Sequence, residues 1–260
     1  MNKLESVTSV LKVFMLLETL AEQKNIGITE LAQKLMMPKS TAYRFLQTMI
    51  NLGYVRQEES DKYTLTLKLF EIGAKALEYT DLIALADKEM TYIAQATNET
   101  LHLGILENDE IIYLHKIDST YSLRMHSRVG RKNPSYSTAL GKVLLSDYSD
   151  TAVKDILKNT EFISYTNNTL QNIDELLEEL AKVRKEHYAE DNEEQEPGLK
   201  CIAVPIYNRL GNIIAGISIS FPMIRFKKEN LPALVKLLEQ AGKNVSEQLG
   251  YHSYPTIYVP

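Results

Sequence analysis

The amino-acid sequence predicts an α+β protein in two parts, on three observations. Residues 10–53 carry apolar residues at helical spacing in three runs, and 54–65 reads as a small hairpin. Beyond residue 80, strands come partly in pairs and helices partly in runs, which fits an antiparallel sheet with packed helices better than a repeating parallel unit.

In chain order, Val10, Phe14, Leu17 and Ala21 form one helical stripe. Val13, Leu16 and Leu20 form a second, which a domain this small would hardly bury alone. A second copy of the chain would cover it, although both stripes packing at home fits the periodicity equally well. Thr29 is placed to cap the next helix, whose inward face is Leu31, Ala32 and Leu35 and which Pro38 ends. A further helix opens at Lys39-Ser40, buries Ala42, Phe45, Leu46 and Met49, and closes at Gly53. Residues 54–57 and 63–65 then read as strands around an acidic tip at 58–61.

Helix, turn, helix and ribbon in this order outline a winged helix-turn-helix. Lys39, Ser40, Thr41, Tyr43, Arg44 and Gln47 remain on the outer face of its second helix, where a recognition helix meets the major groove. Ser40 and Thr41 suit phosphate oxygens, Arg44 a guanine edge and Gln47 an adenine edge. The acidic tip repels phosphate, so any wing contact falls to Arg56 or Lys62. The plainer alternatives are a winged module that binds protein, or three ordinary core helices with a polar outer face.

Composition narrows the classes. With 44% hydrophobic and 24% charged residues over 260, the chain is an ordinary globular protein of two domains. The net charge of −5 is uneven: residues 1–80 carry 10 Lys and Arg against 9 Asp and Glu, leaving 19 against 25 downstream. DNA affinity must then come from a few placed cations, doubled in a two-fold dimer. One cysteine, Cys201, excludes an intrachain disulfide, and no run of eighteen apolar residues exists to span a membrane. The apolar run from Val10 to Leu20 is broken by Lys12 and Glu18 and lacks a cleavage pattern, so the protein is read as cytoplasmic. The five histidines show no zinc spacing, and there is neither a Gly-x-Ser-x-Gly elbow nor a Walker loop. No metal or cofactor is expected, and an enzyme is disfavoured.

Residues 66–78 read as a linker helix through Leu69, Ile72, Gly73 and Ala76. A helix at 82–96 precedes a hairpin of 101–106 and 111–117 that turns at 108–110. Strands are predicted at 122–128, 200–207 and 213–221, and helices at 138–147, 150–158, 172–187 and 228–249. The domain plan is 1–65, a linker at 66–80, a second domain at 81–250, and a tail at 251–260 without an assigned role.

Three features suggest a ligand site in that second domain. Ser137 or Thr138 caps a helix whose first amides, at Ala139 and Leu140, favour an anion such as a carboxylate. The acidic run 190–196 reads as a loop that can aim Asp191 at a sugar hydroxyl. Ser218 and Ser220 share one side of a strand, which either lines a pocket or faces water.

Together with the winged module and linker, Ser137-Thr138-Ala139-Leu140-Gly141-Lys142, Glu190-Asp191-Asn192-Glu193-Glu194, Gly198-Leu199-Lys200-Cys201-Ile202-Ala203-Val204-Pro205 and Ala215-Gly216-Ile217-Ser218-Ile219-Ser220 resemble the IclR family of transcription regulators along nearly the whole chain. The segments 36–49, 122–125 and 250–255 look most like members that control pectin and hexuronate breakdown and answer to 2-keto-3-deoxygluconate. The resemblance implies a GAF-like effector domain and a dimer or dimer of dimers on a palindromic operator, acting as a repressor released by its sugar acid. It also implies that Thr138, Ala139 and Leu140 hold the carboxylate while Asp191, Cys201, Ser218 and Ser220 surround the rest. By the same resemblance, Leu123 and Met125 would form an apolar wall. Pro197, Lys200, Lys142 and Asn133 sit close by without breaking a pocket motif. An IclR-type regulator of another small carboxylate is the alternative, ahead of a hydrolase or a protein-binding module.

Overall fold

Leu16, Leu20, Leu31, Ala42, Leu46 and Met49 are buried together, and this shared core turns the N-terminal helices and ribbon into one unit. The structure is a computed structural model that describes residues 7–23, 25–58, 61–77, 82–122 and 127–259. The chain divides into two units, 1–80 and 81–260.

The first unit runs α1 (Thr8–Glu22), β1 (Ile26–Gly27), α2 (Ile28–Lys34), α3 (Lys39–Asn51), β2 (Val55–Gln57), β3 (Lys62–Leu65) and α4 (Lys68–Leu77). Its strands pair antiparallel in the order β1-β3-β2. Several sequence expectations change here. Thr29 is not a cap: β1 hands the chain directly to α2, which starts at Ile28 behind Gly27 with no side-chain cap. Pro38 does not end α2, which stops at Lys34; it stands in extended conformation as the N-cap of α3, where its missing N–H costs nothing. Phe45 is partly buried, not fully. The two stripes of α1 exchange roles, because Leu16 and Leu20 enter the core while Val10 and Phe14 stay 50% and 57% exposed.

The second unit runs α5 (Leu82–Thr97), β4 (Thr100–Glu107), β5 (Glu110–Ile117), β6 (Lys132–Pro134), α6 (Ala139–Leu145), α7 (Asp150–Ile156), α8 (Ile173–Glu186), β7 (Ala189–Asn192), β8 (Leu199–Tyr207), β9 (Ile213–Pro222), a 3-10 turn (Lys228–Asn230) and α9 (Leu231–Gln248). Its six strands form one antiparallel sheet in the order β6-β5-β4-β9-β8-β7. Alternation decides its two faces. Leu101, Leu103, Ile202, Val204, Ile217 and Ile219 point to one side and pack against α5 and α9. The residues between them point to the other, where α6 lies; all seven residues of α6 are buried, as expected of a helix covered on every side.

The 190–198 stretch, expected as a loop, begins as the edge strand β7, in which Asp191 pairs with Cys201. A short strand at 132–134 was not expected; Pro134 is tolerated because β6 is an edge. The strand expected at 122–128 falls largely on 123–126, outside the described residues, and Ser122, Ser127 and Arg128 are not in a strand. The tail packs into this unit: the Tyr254 hydroxyl donates to the Pro205 carbonyl at 2.9 Å, and Ile257 is buried with the α5/α9 core. Among the described residues no helix is long and apolar enough to cross a membrane.

Candidate functional site

Where α6 meets the sheet, side chains are removed to let the helix approach. A Cβ on Gly216 would lie 2.8 Å from Leu140 Cδ2, and one on Gly141 only 2.0 Å from the Ser135 carbonyl oxygen. Thr138 caps the helix, its hydroxyl oxygen accepting from the Gly141 N–H at 3.1 Å while donating to the Pro134 carbonyl. The start of α6 is thereby fixed over the middle strands.

The space that remains is a cavity of about 10 Å³, lined by Tyr113, Thr138, Ala139, Leu140, Asp191, Gln195, Cys201, Ser218 and Ser220. That volume suits a single water. Strand register explains the convergence: Asp191 pairs with Cys201 and Cys201 with Ser220, so three adjacent strands present them in one row. Ser218 lies two residues along β9 on the same face, away from water, at 3% exposure.

The lining is polar, and burial shifts its titratable groups toward their neutral forms. Burial pushes the Cys201 thiol well up, and its Sγ lies 3.2 Å from Ser220 Oγ. Burial likewise raises the Tyr113 phenol well above its usual range, while the Asn133 amide donates to its oxygen. Asp191 is raised to about 7, mainly by burial and then by the neighbouring Glu194 carboxylate. Its Oδ1 still accepts the Glu194 and Gln195 N–H groups, at 2.7 and 3.4 Å, and so shapes the turn after β7. Behind this wall Lys142, 1% exposed, places Nζ 2.7 Å from Glu194 Oε1 and 3.7 Å from Glu179 Oε1. The lining therefore offers several hydrogen-bonding groups around a space that, in this form, has room for about one water.

Two family models cover the chain: the IclR helix-turn-helix domain matches residues 9–59, and the bacterial transcriptional regulator IclR C-terminal domain matches 74–247. The chain belongs to the IclR family. It is 58% identical over 252 residues to the HTH-type transcriptional regulator KdgR of Dickeya chrysanthemi, covering 96% of this chain and 83% of the relative. It is 56% identical to KdgR of Escherichia coli (strain K12), covering 96% of each. The crystal structure of Thermotoga maritima IclR superimposes with a TM-score of 0.78 at 33% identity, over 94% of this chain and 99% of that one. The protein is thus a helix-turn-helix transcription regulator with an IclR effector domain, and not an enzyme.

In the IclR reading head, Lys39, Ser40, Tyr43 and Arg44 are exposed on the first turns of α3, and Thr41 and Gln47 are half-buried. Lys39, Ser40 and Tyr43 line a shallow cleft with Gln57, Asp61 and Tyr63. Lys62 is exposed on β3, whereas Arg56 already pairs with Glu58 at 2.8 Å. The tip residues Glu59 and Ser60 lie outside the described residues.

In the effector domain, Thr138, Ala139, Leu140, Asp191, Cys201, Ser218 and Ser220 are brought together, while Leu123 and Met125 lie outside the described residues. Sequence reasoning missed Tyr113 and Gln195. Gln195 stood within an acidic run from which only Asp191 was singled out, and its side chain accepts from Ser137 Oγ. Tyr113 shares a face of β5 with the apolar Ile111 and reads as one more core residue of that face, and nothing local tells which face holds a cavity. Lys142, noted only as a neighbour, is the buried cation behind the wall.

The raised Asp191 has a measurable consequence. Folded, it binds a proton that the unfolded chain releases above its ordinary value of 3.8, so its contribution to stability is complete below that value and is lost as pH rises through about 7. Asp191→Asn keeps the amide-accepting oxygen and removes the titration. The expected outcome is a smaller fall in urea midpoint between about pH 5 and pH 8 than in wild type; an equal fall would show that Asp191 does not carry this linkage.

Proposed function

We propose that this regulator is a repressor that grips a palindromic operator in the cytoplasm as a dimer or dimer of dimers. It releases the operator when a small sugar acid such as 2-keto-3-deoxygluconate fills the cavity beneath α6. The observation that carries this reading is the convergence of Asp191, Cys201, Ser218, Ser220 and the α6 start on one small space. At about 10 Å³ that space cannot admit a six-carbon acid without movement of its wall, so occupancy and shape are coupled, as a sensor requires. Ala139 and Leu140 present helix-start amides for the carboxylate, and the hydroxyls and Asp191 suit the polyol.

The likeness to the two KdgR proteins supports the sugar-acid assignment over other carboxylates. For pairing of two chains, the support is the apolar face that α1 leaves open. Phe14 and Leu17 line a groove of about 370 Å³ with Phe45, Leu52, Leu69 and Ile72.

Three experiments test these parts. Arg44→Ala is expected to weaken operator binding by about 1–3 kcal/mol, five- to 150-fold, in a fluorescence-anisotropy titration; unchanged affinity would exclude a base contact. Ser218→Ala should raise the 2-keto-3-deoxygluconate concentration needed for half-release about fivefold, the worth of one hydrogen bond, with ligand-free operator affinity unchanged. Release of wild type by no sugar acid, but by another carboxylate, would transfer the site to that ligand. Phe14→Asp, placing a charge on the open α1 face, should shift sedimentation toward monomer without unfolding the head; an unshifted profile would move the interface elsewhere.

A further inference from the structure

His102 sits on β4 directly beside Ser218 of β9, so its ring occupies the cavity side of the sheet, one strand beyond the row of hydroxyls. Its ring stacks on Tyr113, a lining residue, with centroids 4.3 Å apart. Nε2 lies 2.6 Å from Ser127 Oγ. Nδ1 is buried and, among the described residues, has no hydrogen-bond partner.

An imidazole in this position is unusual on two counts. Burial, and then the nearby Lys116 ammonium, lower its pKa to about 3, so the ring is neutral whenever the protein is folded near neutrality. A neutral ring has one donor and one acceptor nitrogen. If Nε2 accepts from Ser127, Nδ1 is a buried donor left unmet; if Nε2 donates, Nδ1 is a buried acceptor left unmet. Either state leaves a buried polar nitrogen unmet, a penalty relieved only when something polar arrives. The neighbouring cavity can supply such a group, since Ser218 and Tyr113 on either side of His102 both line it. Cys201 and His102 stand two strands apart, roughly 10 Å at ordinary strand spacing. A six-carbon acid anchored over β8 and β9 reaches toward β4, whereas a three-carbon acid stays short of it.

We propose that His102 is a specificity-determining residue of the effector site, its Nδ1 hydrogen-bonding a distal hydroxyl of a polyhydroxylated keto acid and so selecting that class over short keto acids. This rests on the cavity being the effector site.

The test uses the full-length wild-type protein labelled with 15N-histidine, with 2-keto-3-deoxygluconate and pyruvate as probes. The His102 signals are identified as those of an imidazole still neutral at about pH 4, where an ordinary histidine is charged, and are checked by their absence from His102→Phe. The expected result is that 2-keto-3-deoxygluconate moves the Nδ1 resonance and pyruvate does not, and that His102→Phe binds the sugar acid at least fivefold more weakly while wild-type pyruvate binding, where measurable, is retained. If 2-keto-3-deoxygluconate raises the thermal midpoint but leaves Nδ1 unmoved, the role of His102 is overturned and the effector site stands. If it gives neither a thermal shift nor a spectral change, the effector assignment fails and this inference with it. A variant that does not fold leaves the decision to the wild-type spectrum.

Discussion

The close seating of α6 on the sheet is the constraint on which the second domain depends. Gly216 removes the atom that would strike Leu140, and Gly141 removes one that would strike the Ser135 backbone. Overpacking of this kind costs about 1–3 kcal/mol or more when neighbours cannot yield, and a carbonyl at 2.0 Å cannot yield without moving the chain. Because the helix is held this near, the short polar side chains of β8 and β9 meet its first turn directly. A larger separation would leave them facing water, which is the alternative the alternation of Ser218 and Ser220 alone leaves open.

The same closeness explains a lysine in the middle of a fully buried helix. Lys142 has nowhere to reach solvent, and its ammonium is met by Glu194 and Glu179. A buried pair of this sort adds little net stability, because desolvation offsets most of the attraction, but removing one partner strands the other at a cost of about 3–5 kcal/mol. What the pair does is register: Glu194 belongs to the turn that Asp191 organises, so α6 and the cavity's acidic wall are tied at one point. Glu194 Oε2 is buried and has no hydrogen-bond partner among the described residues, so one acceptor on this turn is left unmet.

How much of this was legible in the sequence follows from the range of the forces involved. Periodicity located nearly every helix and the long strands, since alternation and 3.6-residue spacing are local signals. Thr138 as a cap was readable for the same reason. Helix ends set by distant partners were not: β1 claims Ile26 and Gly27 through pairing with β3, which displaces Thr29 from the cap. The acidic run was legible only in part: it read as a loop that could aim Asp191 at a ligand, but not as one whose Asp191 and Glu194 are buried, because Lys142, which meets Glu194, lies far away in sequence. The resemblance to a known family named pocket residues that the local pattern could not rank, but it passed over Tyr113, Gln195 and Lys142, whose roles appear only once the register is known.

A cavity this small also sets the thermodynamics of any signal. If the effector binds only a domain whose wall has opened, its apparent affinity is its intrinsic affinity reduced by the fraction of molecules already open. Operator DNA then acts on the same equilibrium from the other side: on the proposed reading it favours the closed form, and so must weaken the effector by the factor by which the effector weakens it. The near-neutral reading head makes this balance attainable. With 10 Lys and Arg against 9 Asp and Glu in residues 1–80, bulk charge offers little, and on the proposed reading operator affinity rests on a few contacts around α3. A coupling of about 1–3 kcal/mol, within the reach of a small ligand, is then enough to shift occupancy five- to 150-fold. A strongly basic head, held by many phosphate contacts, would need a far larger rearrangement to let go.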